Sequence, residues 1–199
     1  TYSIFKLDLK TLKNQLIGSA IRGENQRNSH TIISLPNAEG KLENFRVVET
    51  PIMEPELAWK FPMIKSYAAQ GIDDPTAVAR FSITQFGLHS MTLSGQKSTV
   101  YIDPYTEDME NYIVYDRLSI SENQSNFSCL LDDGIRLPSI SIENENIANR
   151  NTDDKKLRTY RLAQSCTGEY GTIFKGTGTV AQQKANVQAQ MAITMTRVN

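Results

Sequence analysis

The chain reads as an α+β protein, mainly antiparallel β, that ends in a strand and a long amphipathic helix. Three observations carry that expectation. Apolar residues alternate with polar ones in short runs from Tyr2 to Arg117, Gly, Pro, Asn and Asp break those runs at close, even spacing, and a sustained helical period follows only after Thr179. Short strands with no helix-length segment between them favour antiparallel meanders over parallel βαβ units.

The elements follow in order. Tyr2, Ile4, Phe5 and Leu7 open a strand, and Asp8 then offers a carboxylate to the free amides of a helix through Leu12, Leu16 and Ile17. Gly23 to Ser29 is polar and turn-rich. Thr31 to Leu35 and Leu42 to Glu49 flank Pro36-Asn-Ala-Glu-Gly40 and predict a hairpin. Glu54 to Trp59 predicts one helical turn, with Pro early and carboxylates near its N-terminus, ended by Phe61-Pro62. Trp59 and Phe61 are expected to anchor that turn on the sheet. Met63 to Ala69, Ala77 to Phe86, Leu88 to Leu93 and Lys97 to Ile102 then give four more strands, and Asn111 to Arg117 a fifth.

From Ser121 to Asp154 the composition shifts to Asn, Ser, Asp and Glu, with apolar clusters only at Phe127 to Leu131 and Ile135 to Ile142. A polar stretch of this kind between packed regions predicts a linker. The expected organisation is a β-rich body over 1–120, a linker over 121–155, and a strand and helix over 156–199. In the last part, Leu157, Thr159, Arg161 and Ala163 alternate with Arg158, Tyr160, Leu162 and Gln164 as an inner strand would. Thr179 is placed to cap a helix whose apolar stripe is Val180, Val187, Met191, Met195 and Val198. A helix with such a stripe and no element after it predicts the opening of a domain whose remainder lies outside these 199 residues.

Composition excludes several classes of function. With 21 basic against 22 acidic residues the net charge is −1, so no overall field favours nucleic acid. No apolar run approaches the roughly 18 residues that a membrane span needs. Cys129 and Cys166 permit one disulfide at most and leave the compartment open. No Gly-x-Ser-x-Gly elbow, phosphate-binding loop or Cys-x-x-Cys pair is present. His30 and His89 stand apart from each other and from any His-Glu-x-x-His pattern, and read as surface or hydrogen-bonded imidazoles. Asp132-Asp133 and Asp153-Asp154 are adjacent pairs, which point opposite ways in extended chain and read as solvated loop charge.

Several short blocks, in order, resemble a known family. Phe45-Arg-Val-Val-Glu-Thr-Pro-Ile-Met53, Leu57-Ala-Trp-Lys-Phe-Pro-Met-Ile-Lys-Ser-Tyr67 and Val100-Tyr-Ile-Asp-Pro104 resemble the propeptide of secreted bacterial reprolysin-like zinc metalloproteases, which are metzincins. Arg158-Thr-Tyr-Arg-Leu-Ala163, Ser165-Cys-Thr-Gly-Glu-Tyr170 and Met191 to Asn199 resemble the start of their catalytic domain. The resemblance implies a secreted zymogen whose signal peptide has been removed. It implies a propeptide that assists folding and covers the active-site cleft of its partner, the remainder of its own catalytic domain. The final strand and helix would then begin a metzincin-type α/β domain, and zinc would be bound by the part of that domain not present here, because the chain has no His-Glu-x-x-His motif and cannot be a zinc protease alone.

Two regulatory features are expected on that resemblance. The maturation cut is placed in Arg150-Asn151-Thr152-Asp153-Asp154-Lys155-Lys156, a charged segment without apolar anchors, which also reads as an ordinary surface loop. Cys129 is a candidate zinc-blocking switch, since a thiolate can fill the open fourth position of a catalytic zinc, and it also reads as a small buried hydrophobe between Phe127 and Leu130. The alternative to a propeptide is a non-enzymatic β-sandwich binding or adhesion module, with the C-terminal helix as its cap and Trp59, Tyr67 and Tyr101 as stacking platforms.

Overall fold

A computed structural model describes residues 2–23, 29–120 and 161–198. Its elements are β1 (Tyr2–Lys6), α1 (Leu9–Leu16), β2 (Ile32–Pro36), β3 (Leu42–Glu49), α2 (Pro55–Lys60), β4 (Lys65–Gly71), β5 (Val78–Thr84), β6 (Gly87–Leu93), β7 (Val100–Pro104), β8 (Asn111–Asp116), α3 (Gly168–Phe174) and α4 (Val180–Val198). All of them belong to one compact unit drawn from residues 1–121 and 166–199. The fold is α+β with β dominant, as expected.

Every strand from β2 to β8 pairs antiparallel with the next, and β1 returns to pair with β8, giving the order β1-β8-β7-β6-β5-β4-β3-β2. Turn chemistry accounts for the links. At the β2–β3 hairpin, Asn37 Oδ1 accepts from the amides of Glu39 (3.1 Å) and Lys41 (2.9 Å), and Gly40 takes φ +80°. Before β5, Asp74 Oδ1 accepts from both the amide (2.9 Å) and the hydroxyl (2.6 Å) of Thr76, and Oδ2 from Ser94 Oγ (2.7 Å). The sheet curls. Phe5 Cζ of β1 lies 3.7 Å from where a β-carbon on Gly40 would sit, so the two ends of the strand order meet at one corner.

Period-two alternation gives the sheet two faces of different chemistry. The inner face carries Phe45, Val47, Tyr67, Phe81, Ile102, Tyr112 and Val114, all buried, with Tyr67 stacked on Phe81 at 4.9 Å between ring centroids. Helix α1, capped by Asp8 accepting from the Thr11 amide at 3.0 Å, closes this concave side with Leu12 and Leu16. Truncating a ring buried as completely as Phe81 costs about 3–5 kcal/mol, so this cluster holds the body together.

The outer face is covered by α4, which lies against β4, β5 and β6. Thr179 caps it as expected: its Oγ1 accepts from the Gln182 amide at 3.3 Å, while Gln182 Oε1 accepts from the Thr179 amide at 2.8 Å. The stripe read from the sequence is corrected. Val180 and Val198 are 67% and 75% exposed, and the residues buried on the sheet are Ala189, Ala192, Ile193 and Thr196. Small side chains win because the sheet offers the small residues Ser66, Ala68, Ser82 and Thr84 beneath the helix, and the two backbones then pack closely. Ile64, Ile52, Met53, Phe61 and Phe86 complete this second cluster.

Two further expectations are corrected. Trp59 does not anchor α2, being 84% exposed, while its neighbour Phe61 packs in the outer cluster. Of the strand expected over Leu157 to Gln164, Leu157 to Tyr160 lie outside the described residues, and Arg161 to Gln164 carry no regular structure. Instead a short helix, α3, follows, capped by Thr167 accepting from the Tyr170 amide at 3.3 Å and with Glu169 in its first turn.

Candidate functional site

The residues singled out for regulation, Cys129 and the segment Arg150 to Lys156, lie outside the described residues. Of the others, His30 and Cys166 are exposed, and Cys166 is a free thiol. Tyr67 is buried in the inner core and is no platform. Among the described residues no group of three or more His, Cys, Asp or Glu is placed to hold a metal ion. A cavity at the mouth of the inner face, lined in part by Leu35, Phe45, Ala77 and Val100, has about 20 Å³, room for a single water rather than a substrate.

The polar cluster with the most developed geometry sits on the outer face, where Arg197 in the last turn of α4 reaches β6 and β7. Register places its members. His89 of β6 lies opposite Ser82 of β5, and Tyr101 and Asp103 of β7 lie opposite Tyr115 and Ile113 of β8, so alternation turns His89, Tyr101, Asp103 and Tyr115 to one side. Arg197 reaches them from the helix. Its Nη2 donates to Asp103 Oδ1 and to the Ser90 carbonyl oxygen at 3.3 Å, and its guanidinium lies 5.6 Å from the Tyr101 ring centroid. Tyr115 Oη donates to Asp103 Oδ2 at 2.8 Å, and the rings of Tyr101 and Tyr115 stack at 5.4 Å. His89 Nε2 stands 3.9 Å from the same Oδ1 that Arg197 holds.

Electrostatics follow from partial burial. The Asp103 and Arg197 side chains are 21% and 24% exposed, so their ion pair is screened less than a surface pair. Burial, then the Asp103 charge, pushes the Tyr115 phenol up to about 12, keeping it a donor across the physiological range. Burial lowers the His89 pKa; Asp103 opposes that and Arg197 adds to it. The imidazole is therefore neutral at neutral pH. One carboxylate thus accepts from a guanidinium and a phenol while a neutral imidazole waits beside it. These contacts make the group a polar clasp between helix and sheet.

Sequence reasoning read His89 as an isolated imidazole and passed over Asp103, Tyr115 and Arg197. Alternation in β7 and β8 could have put Tyr101, Asp103 and Tyr115 on one face, but Arg197 joins them from 94 residues away. Neither the protein-family models, nor the curated proteins, nor the solved structures with which the chain was compared give a match.

Proposed function

We propose that the chain is the folding and inhibitory propeptide of a secreted zinc metalloendopeptidase zymogen, carrying with it the first long helix of the metzincin domain that it holds. The sequence blocks quoted above support this reading, and one structural observation carries it further. Helix α4, which follows the expected cut within Arg150 to Lys156, is docked on β4, β5 and β6, which precede that cut. Cleavage there leaves those contacts intact. A propeptide built this way supplies a surface on which the enzyme's first long helix, α4, can form, and stays bound without a covalent tether until the helix is released. Zinc and the groups that hold it would belong to the rest of the catalytic domain, and the chain itself would do no hydrolysis.

A specific protease site placed between Arg150 and Lys156 tests this. After cutting, the two pieces are expected to co-elute on gel filtration, and the piece ending at Arg150 is expected to lower peptide hydrolysis when added to the mature enzyme. Pieces that separate, together with an unaffected enzyme, would overturn the reading.

A second reading, a non-enzymatic binding or adhesion module, is favoured by Trp59, whose indole is 84% exposed on α2 beside the half-exposed Met63. Docked α4 suits this reading too, as a cap. Here Trp59→Ala would abolish retention on the ligand, for example an immobilised glycan, and leave the cut chain's enzyme partner irrelevant.

A further inference from the structure

We propose that His89 is a proton-operated release for the last turn of α4: once charged, its imidazole competes with Arg197 for Oδ1 of Asp103 and loosens the clasp between helix and sheet. This goes beyond the zymogen reading and holds whether or not the chain is a propeptide.

The geometry is specific. Arg197 Nη2 and His89 Nε2 address one oxygen, the first in hydrogen-bond contact and the second at 3.9 Å. The other oxygen is taken by Tyr115 Oη at 2.8 Å. A single negative charge therefore serves one cation when His89 is neutral and two when it is protonated. Among the described residues the elements around His89 contribute one carboxylate: β7 gives Asp103 and Tyr101, β8 Tyr115, α4 Arg197, and β5 presents Ser82 opposite His89 with Arg80 two residues along the same face. Like charges this close and partly buried repel, and the arm free to leave is Arg197, because it is carried by a helix end whereas His89 is fixed inside the sheet. Once Arg197 swings out, the carboxylate is left to His89. The buried imidazole, with a pKa already lowered by burial, resists charging until the helix end opens, so opening and protonation are linked.

Hydrogen exchange of the whole chain followed by mass spectrometry reads the release directly. Protection of the amides in Gln190 to Val198, corrected for intrinsic exchange, is expected to fall between about pH 8 and about pH 5, by about tenfold for each unit by which the docked state lowers the proton affinity of His89. In His89→Gln the fall is absent, and in Asp103→Asn protection is low at both ends. The amides of β5 report whether each variant is folded. An equal fall in wild type and a folded His89→Gln, or no fall in wild type, overturns the proposal. If His89→Gln does not fold, NMR of His30→Gln decides, since it leaves a single imidazole. Titration of that imidazole in step with the Arg197 Nε–H resonance supports the release, and titration with that resonance unmoved overturns it.

Discussion

Gln85, in the short link between β5 and β6, donates from Nε2 to the Ala185 carbonyl oxygen at 3.0 Å and to Asn186 Oδ1 at 3.2 Å. One side-chain amide on the sheet thus grips the helix well away from the Arg197 clasp, so α4 is fixed to the sheet at two polar points with the alanine contact between them. Neutral side-chain hydrogen bonds of this kind contribute about 1 kcal/mol each. Gln85→Ala, which removes both, is therefore expected to lower the unfolding free energy by about 1–2 kcal/mol in urea titration, and to raise exchange in the first half of α4 more than in its last turn.

The face by which α4 meets the sheet gives a sharper test. Ala189 and Ala192 are buried against it, whereas Val180 and Val198 are exposed. Ala189→Leu and Ala192→Leu would force extra carbon atoms between closely packed backbones, at a cost of about 1–3 kcal/mol each. Val180→Ala and Val198→Ala should stay within about 0.5 kcal/mol of wild type. The reverse ranking in denaturant midpoints would mean that the valine and methionine stripe faces the sheet.

That contrast shows what the sequence could reveal. Strands were legible because alternation and turn residues are local: Asn37 and Gly40 set the β2–β3 link, Asp8 caps α1, and Thr179 caps α4 within three residues of its start. The helix face was not, because apolar bulk is a guide to burial only where the opposing surface leaves room for it. Here the sheet presents Ser82 and Thr84, and alanine fits where valine would not. Trp59 misled for the related reason that an aromatic in a short helix has no fixed partner until the helix is placed. The outer cluster was hidden by distance along the chain, since nothing near Asp103 in sequence announces Arg197.

Gly87 leaves little room for a substitution. It takes φ +92°, and a β-carbon there would sit 2.7 Å from Tyr112 Oη and 3.1 Å from Pro104 Cγ. Tyr112 Oη in turn accepts from the Leu88 amide at 3.3 Å. Gly87→Ala is expected to cost about 2 kcal/mol or more, from the left-handed backbone and the displaced phenol together. In a double-mutant cycle with Tyr112→Phe, which removes the clashing oxygen, the two costs should add to less than their sum. Strict additivity would show that the phenol oxygen is not what the new methyl meets.

Stability at high pH should report the buried phenols, among them Tyr67 and Tyr115. Tyr67 is pushed up to about 12 by burial, with the Glu49 charge adding to it, and Tyr115 to about 12 by burial and then Asp103. In the unfolded chain a tyrosine ionises near pH 10. Between these values the unfolded state holds fewer protons than the folded one, so the stabilisation from the neutral phenols is complete below about pH 10 and is lost as pH rises toward about 12. Urea midpoints measured across that window should therefore decline, and Tyr67→Phe and Tyr115→Phe should each make the decline shallower. Tyrosinate absorbance supplies the independent check: the phenols of Tyr67, Tyr112 and Tyr115, each pushed up chiefly by burial, should ionise only as the protein unfolds. Ionisation of all eight tyrosines before any loss of structure would contradict the burial of Tyr67 and Tyr115.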